Sequence, residues 1–266
     1  MTTETDGQQV ILRIDKAVRR FGGLVAVNDV SFQALTGQVT GLIGPNGAGK
    51  STMFDLVTGV RPVTSGDIYF QGQRITHEPP HTRSPMGMAR TFQIVRLFRG
   101  MTVLENVLLG QHPKFPDGIV RALFSSRALA AQERRARDRA MELLEFVGLA
   151  SRASDAIGHL TLGQLRLVDI ARALASDPAL LMMDEPAAGL NDAETRNLLD
   201  MILALKARGL AMLVVEHDID FIMTACDRIV VMDRGSKIAD GTPDAVRTNE
   251  KVIAAYIGRK AADATH

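Results

Sequence analysis

Tryptophan is absent, aromatic residues make up only 5% of the chain, and cysteine occurs once, at Cys226. The scarcity of aromatics argues against a single-strand binder, which stacks successive bases on exposed rings. One cysteine can neither close an internal disulfide nor build a thiolate metal cage, and it fits a reducing compartment. An excess of either charge is missing too: 31 Lys and Arg face 30 Asp and Glu, a formal charge of +1. A protein that coats DNA or RNA carries a clear basic surplus, so no nucleic-acid partner is expected. Long apolar runs are lacking as well. The longest, Leu210–Val215, has six residues, whereas a membrane-spanning helix takes roughly 20. The opening MTTETDGQQ is polar, without a signal-peptide core. The expectation is a cytoplasmic chain that reaches a membrane only through a partner.

What is present is 266 residues, 46% hydrophobic and 23% charged, enough to bury a sizeable core. Val30, Phe32 and Ala34 alternate with Ser31 and Gln33, the period of a half-buried strand, and the first forty residues read as strands. Val39–Ile43 reads as a short buried strand running into GPNGAGKST, and MFDLV continues as a helix. Asp67–Phe70 is a further candidate strand. From about 94 to 165 the character turns helical. Ala136, Ala140, Leu143, Leu144 and Val147 share one face of a helix spanning Ala128–Val147, with Gly148 as its C-terminal cap. The Pro- and Gly-rich stretch at 110–118 reads as a surface loop. The mixed run ERRARDR (Glu133–Arg139) reads as a solvated helix face, since it carries its own acids. From 164 onward, helix Gln164–Ala175, strand Leu180–Met183, helix Asp192–Arg208 and strand Leu210–Val215 alternate, which predicts a parallel sheet wrapped by helices.

Gly44, Pro45, Asn46, Gly47, Ala48, Gly49, Lys50 and Ser51 match G-x-x-x-x-G-K-[ST], the phosphate-binding loop. Glycines let the backbone turn several N–H groups toward one anion, and the following helix adds its positive end. Lys50 supplies a full charge to the outer phosphates, and Ser51 offers a hydroxyl to Mg²⁺, which prefers oxygen. Such a loop alone leaves an ATPase, a GTPase and a kinase open. Downstream, the apolar run Leu180–Met183 ends in Asp184 and Glu185. Asp184 at a strand tip can reach the metal, and Glu185 can orient or deprotonate an attacking water. No NKxD or TKxD run, which would read guanine, occurs.

The phosphate loop, the apolar strand ending in DE, and TLGQ before a helix together resemble the nucleotide-binding subunit of an ABC transporter, from about Leu12 to Gly258. The resemblance implies an α/β fold. A P-loop NTPase core with a mixed, mostly parallel sheet flanked by helices would carry an N-terminal antiparallel β part and an inserted helical subdomain. It implies one domain over 1–266, with core at about 1–93 and 166–240, helical subdomain at 94–165 and a C-terminal helical tail at 241–266. Phe21 falls where the family stacks an aromatic on adenine, although an ordinary core phenylalanine would read the same way. Thr52 completes the run of nucleotide contacts. Gln93, in RTFQ, matches the glutamine loop that links Mg²⁺ and water to the transport subunits. Asn191 and Asp192 match the loop that touches the partner ATPase, and His217 matches the switch histidine at the γ-phosphate.

The signature, usually LSGGQ, here reads Leu160-Thr161-Leu162-Gly163-Gln164. Thr161 keeps a hydroxyl that could bond phosphate, Gly163 and Gln164 match, and Leu162 needs a backbone with room for a side chain. In the family, ATP lies between the loop of one subunit and the signature of the other. The resemblance therefore implies a head-to-tail dimer with itself or a homologue. FGGLVAVNDVSF, ARTFQIVRLFRGMTVLENVLLGQH, DEPAAGLN and GTPDAVRTNEKVIAAYIG resemble one ATPase subunit of branched-chain amino-acid importers. That implies two permeases, an external solute-binding protein acting indirectly, and a place on the inner face of the membrane. Importers of urea or short amides use similar subunits. A soluble ATPase acting on DNA or ribosomes would carry coiled-coil arms, a second nucleotide domain or basic extensions, and none is visible. A nucleotide binder without turnover would have no use for both Glu185 and His217.

Overall fold

The computed structural model describes residues 4–5, 8–91, 95–111 and 126–263. The strands are β1 Glu4–Thr5, β2 Gln8–Phe21, β3 Leu24–Leu35, β4 Val39–Ile43, β5 Ser65–Phe70, β6 Gln73–Arg74, β7 Met88–Arg90, β8 Leu180–Asp184, β9 Ala211–Val215, β10 Arg228–Asp233 and β11 Ser236–Gly241. The helices are α1 Lys50–Thr58, α2 Pro80–Arg83, α3 Val103–Leu109, α4 Ser126–Phe146, α5 Leu162–Leu174, α6 Asp192–Ala207, α7 Ile219–Ala225, α8 Pro243–Arg247 and α9 Glu250–Asp263. A six-stranded sheet runs β11-β10-β4-β9-β8-β7, parallel throughout except for the β10–β11 hairpin. A second, antiparallel sheet is built on β2, which pairs with β1, β3 and β5.

The parallel strands read as unbroken apolar runs because both of their faces are covered. Leu180, Met182, Ala211, Leu213 and Val215 point into a core shared with β2, β3, β5 and the apolar face of α1 (Met53, Phe54, Leu56, Val57). Their alternates Leu181, Met183, Met212 and Val214 point the other way, onto Val168, Ala171, Leu198 and Ile202 of the helices. One sheet therefore divides two cores, and each strand residue is assigned to a core by the period of two.

The expected elements are all present, with shifted ends. The helix expected from Gln164 begins at Leu162, because Thr161 caps it. The long helix covers Ser126–Phe146, and Gly148 (φ 74°) ends it: Leu149 N–H reaches Leu144 O (2.7 Å) and Gly148 N–H reaches Glu145 O (3.0 Å). These two bonds satisfy carbonyls that the last turn leaves open. Within the charged run, Arg139 pairs with Glu142 (3.1 Å) and Asp177 (2.8 Å), as a solvated face would. The loop expected at 110–118 lies outside the described residues from 112 on.

Candidate nucleotide site

The site assembles at the carboxyl edge of the parallel sheet. Leu42 pairs with Val215, and Val215 pairs with Asp184. These three residues thus form one row across β4, β9 and β8, with neighbouring strands about 4.8 Å apart. The phosphate loop leaves β4 two residues past Leu42, Glu185 follows Asp184, and Glu216 with His217 follows Val215. Ligands of open α/β sheets bind beyond this edge.

The loop tolerates no side chain at two of its glycines. A Cβ on Gly44 (φ 152°) would lie 2.1 Å from Met232 O, and one on Gly49 (φ 101°) 2.3 Å from Ala26 O. Gly49 caps α1 without a side-chain hydrogen bond, and the first turn of α1 has no acid. The start of α1 thus carries neither a capping side chain nor an acid to compete with an anion. Buried Lys50 donates from Nζ to Gly44 O (2.7 Å) and Pro45 O (3.1 Å), so its ammonium is folded over the loop. A cleft of about 640 Å³ opens here, lined by Phe21, Leu24, Asn46 to Thr52, Glu185, Arg234 and Gly235. Phe21, at the end of β2, lies beside the guanidinium groups of Arg19 (4.6 Å from ring centre) and Arg61 (5.3 Å). It is therefore a cleft residue at a strand end, not a member of either buried core.

Asp184 is 8% exposed, and burial, followed by the charge of Glu185, pushes its carboxyl up to about 6. Arg90 opposes that shift; its Nη1 donates to Thr58 Oγ1 (3.1 Å) and lies 3.9 Å from Asp55. Glu185 sits in the left-handed region (φ 48°), which is costly for a side chain and is held there from several directions. Its N–H donates to Val215 O (2.8 Å), while Arg166 donates to Glu185 O (3.0 Å) and Ala188 O (2.7 Å). Glu216, 1% exposed, accepts the N–H groups of Ala187 (2.8 Å) and His217 (2.9 Å). His217 Nδ1 lies 3.5 Å from Glu216 and 3.9 Å from Glu185.

The signature and the 191–192 loop do not line this cleft; they share a second surface. Thr161 and Gln164 form a reciprocal cap, and Gln164 Oε1 also accepts from Arg152 (3.1 Å). Leu162 has the room that its side chain needs: its backbone is not left-handed, it is the first helical residue, and its side chain is 49% exposed. The crowded position is Gly163, whose Cβ would lie 2.4 Å from Glu194 Oε1. Asn191 caps α6 by accepting the N–H groups of Ala193 and Glu194, and Asp192 opens that helix. Gln93 lies outside the described residues; β7, which leads to it, pairs with β8 beside Asp184.

Five site residues were missed from the sequence: Arg90, Arg166, Glu216, Arg234 and Tyr256. Glu216 had a signal, an acid directly after a wholly apolar strand. Tyr256 had none; its hydroxyl is buried beside the Gly44 backbone, and burial pushes it up to about 12.

A phosphate loop closed to side chains at Gly44 and Gly49, a lysine at a helix start, and the acids Asp184, Glu185 and Glu216 at the neighbouring strand ends define a nucleotide-binding ATPase cassette. The family described as "ABC transporter" matches residues 27–188, and one described as "Branched-chain amino acid ATP-binding cassette transporter" matches 236–262. The high-affinity branched-chain amino acid transport ATP-binding protein LivG of Escherichia coli is 41% identical over 251 residues, covering 94% of this chain and 98% of that protein. BraF of Pseudomonas aeruginosa, named for the same transport, is 43% identical over 249 residues, covering 93% and 98%. A solved nucleotide-free ATP-binding cassette from an ABC transporter superposes with TM-score 0.81 at 34% identity, covering 93% of this chain and 98% of that one. An ADP conformation of such a cassette superposes at 0.80, again with 34% identity, covering 94% and 99%. The chain belongs to the ATP-binding cassettes of ABC transporters, ATPases that bind ATP and work with permease partners.

Proposed function

We propose that this chain hydrolyses ATP to energise uptake of leucine, isoleucine or valine through an importer. The observation that carries the solute is the match at 236–262, together with relatives named for branched-chain amino-acid transport over nearly the whole chain. Residues 1–93 and 166–240 form the ATPase core in this reading, with 94–165 as a helical lobe and 241–266 as a tail.

Lys50 and the N–H groups of the loop hold the outer phosphates, with Asn46, Ser51 and Thr52 around them and Phe21 at the base. Mg²⁺ fits the donors present, Ser51 Oγ and the buried carboxyl of Asp184, both hard oxygens. Among the described residues no three acids, histidines or cysteines cluster around one point. That suits an ion held largely by phosphate and water. When bound, it would neutralise charge on the outer phosphates. Glu185 orients the attacking water and takes its proton, His217 stands beside it, and Gln93 serves as the glutamine that links Mg²⁺ and water to the permeases. Arg166 and Glu216 fix the loop that carries Glu185.

Thr161, Gly163, Gln164, Asn191 and Asp192 form the surface offered to a second ATPase subunit, itself or a homologue, in head-to-tail order. ATP bridging the two favours closure, and hydrolysis removes the bridge. A separate groove of about 480 Å³, with Arg90, Arg96, Arg172 and the 57% exposed Phe98 on its walls, is where a permease segment docks. Among the described residues no helix is long and apolar enough to cross a membrane. In this reading the chain sits on the inner face through its permeases, and an external binding protein acts only through them. Using the chain as bait on solubilised membranes of its host should recover two permeases, and deleting it should abolish leucine uptake. Recovery of ribosomes or DNA, or loss of urea uptake alone, would contradict this reading.

A further inference from the structure

The β10–β11 hairpin turns in two residues, Arg234 and Gly235, both with positive φ (47° and 82°). That turn matches the twist of the strands and favours Asn or Asp followed by Gly. Gly235 obeys the preference and Arg234 does not. Among the described residues its ion pair is weak: the side chain is 85% exposed, and the Asp233 carboxylate lies 4.0 Å away. The turn itself is tied down. Gly235 N–H donates to Ala48 O of the phosphate loop (2.9 Å), and Gly235 O accepts from Asn28 N–H (2.8 Å). Two residues before Arg234, Met232 O fills the space beside Gly44. The hairpin is thus tied to the phosphate loop, and Arg234 shares the cleft with Lys50, Ser51 and Phe21. A residue kept in a costly conformation at a ligand cleft points to work done by its side chain.

We propose that Arg234 is a nucleotide-binding residue whose guanidinium pairs with the polyphosphate held by the Lys50 loop, as a second cation on the cleft wall. This rests on the nucleotide reading of the cleft. The planar fork suits phosphate oxygens, and the exposed side chain is free to reach them. R234N and R234G both place a favoured residue in the turn, so the fold should melt no lower than the parent. Titrated by calorimetry with Mg²⁺ and a non-hydrolysable ATP analogue, both variants should bind about tenfold more weakly, with a shallower dependence on salt. Variants that match the parent at every salt concentration would overturn the assignment. A parent chain that binds no analogue would overturn the nucleotide reading itself, so the two failures are told apart.

Discussion

Glu216 offers a quantitative test of how the site is held together. Its carboxylate is 1% exposed and accepts two backbone N–H groups, from Ala187 at 2.8 Å and His217 at 2.9 Å. It thereby ties the loop carrying Glu185 to the loop carrying His217. E216Q keeps the shape, but its amide can accept only one of the two; the NH₂ faces the other N–H. Losing a hydrogen bond to a charged acceptor costs about 1.5–3 kcal/mol, and part is returned because a buried charge is removed. The net expectation is about 2 kcal/mol. For a domain of this size that lowers the melting temperature by roughly 4–8 °C and moves the urea midpoint down at unchanged slope. The phosphate loop leaves a different strand, so affinity for ATP should stay near the parent value while kcat falls. Calorimetry and steady-state ATPase assays on the same preparation read both effects. Parental stability together with a parental kcat would refute the idea that Glu216 fastens these loops.

E185Q should keep ATP binding and slow turnover by orders of magnitude, because the cradle stays while the acid that orients water is lost; full activity in an ATPase assay would remove Glu185 from the chemistry. The raised carboxyl of Asp184 binds its proton more tightly in the folded chain than in the unfolded one, so ionising it opposes folding. Without metal, D184N should match the parent below about pH 4 and exceed it above about pH 6, by on the order of 2–3 kcal/mol, in denaturation series across pH. A stability gap independent of pH would contradict the burial argument. Cys226 is 6% exposed, and burial pushes its thiol up to about 12, so a thiol reagent should label it only on unfolding. Stoichiometric labelling of the native chain would place it at the surface.

Local rules made the phosphate loop legible, because a strand, a glycine turn and a helix start follow one another in sequence. The same holds for Asp184 and Glu185 at the tip of an apolar strand, and for Gly148 as a cap. The supports of the site were not legible, because they arrive from afar. Arg166 reaches Glu185 O from 19 residues away, and Glu216 reaches Ala187 from 29. Tyr256 comes to Gly44 from the far end of the chain. Nothing in a local pattern announces such pairings. The room that Leu162 needs was legible at its own position, but the close approach of Gly163 to Glu194 comes from a helix 31 residues further on and was not. The row formed by Leu42, Val215 and Asp184 depends on the strand order β4-β9-β8, which hydrophobic periodicity does not reveal.

The most direct measurement is a crystal structure of E185Q grown with ATP and Mg²⁺. The account places the outer phosphates against Lys50 and the loop N–H groups, with the ion between Ser51 and Asp184. Nucleotide bound away from the loop, or an ion that leaves Asp184 uncoordinated, would contradict it.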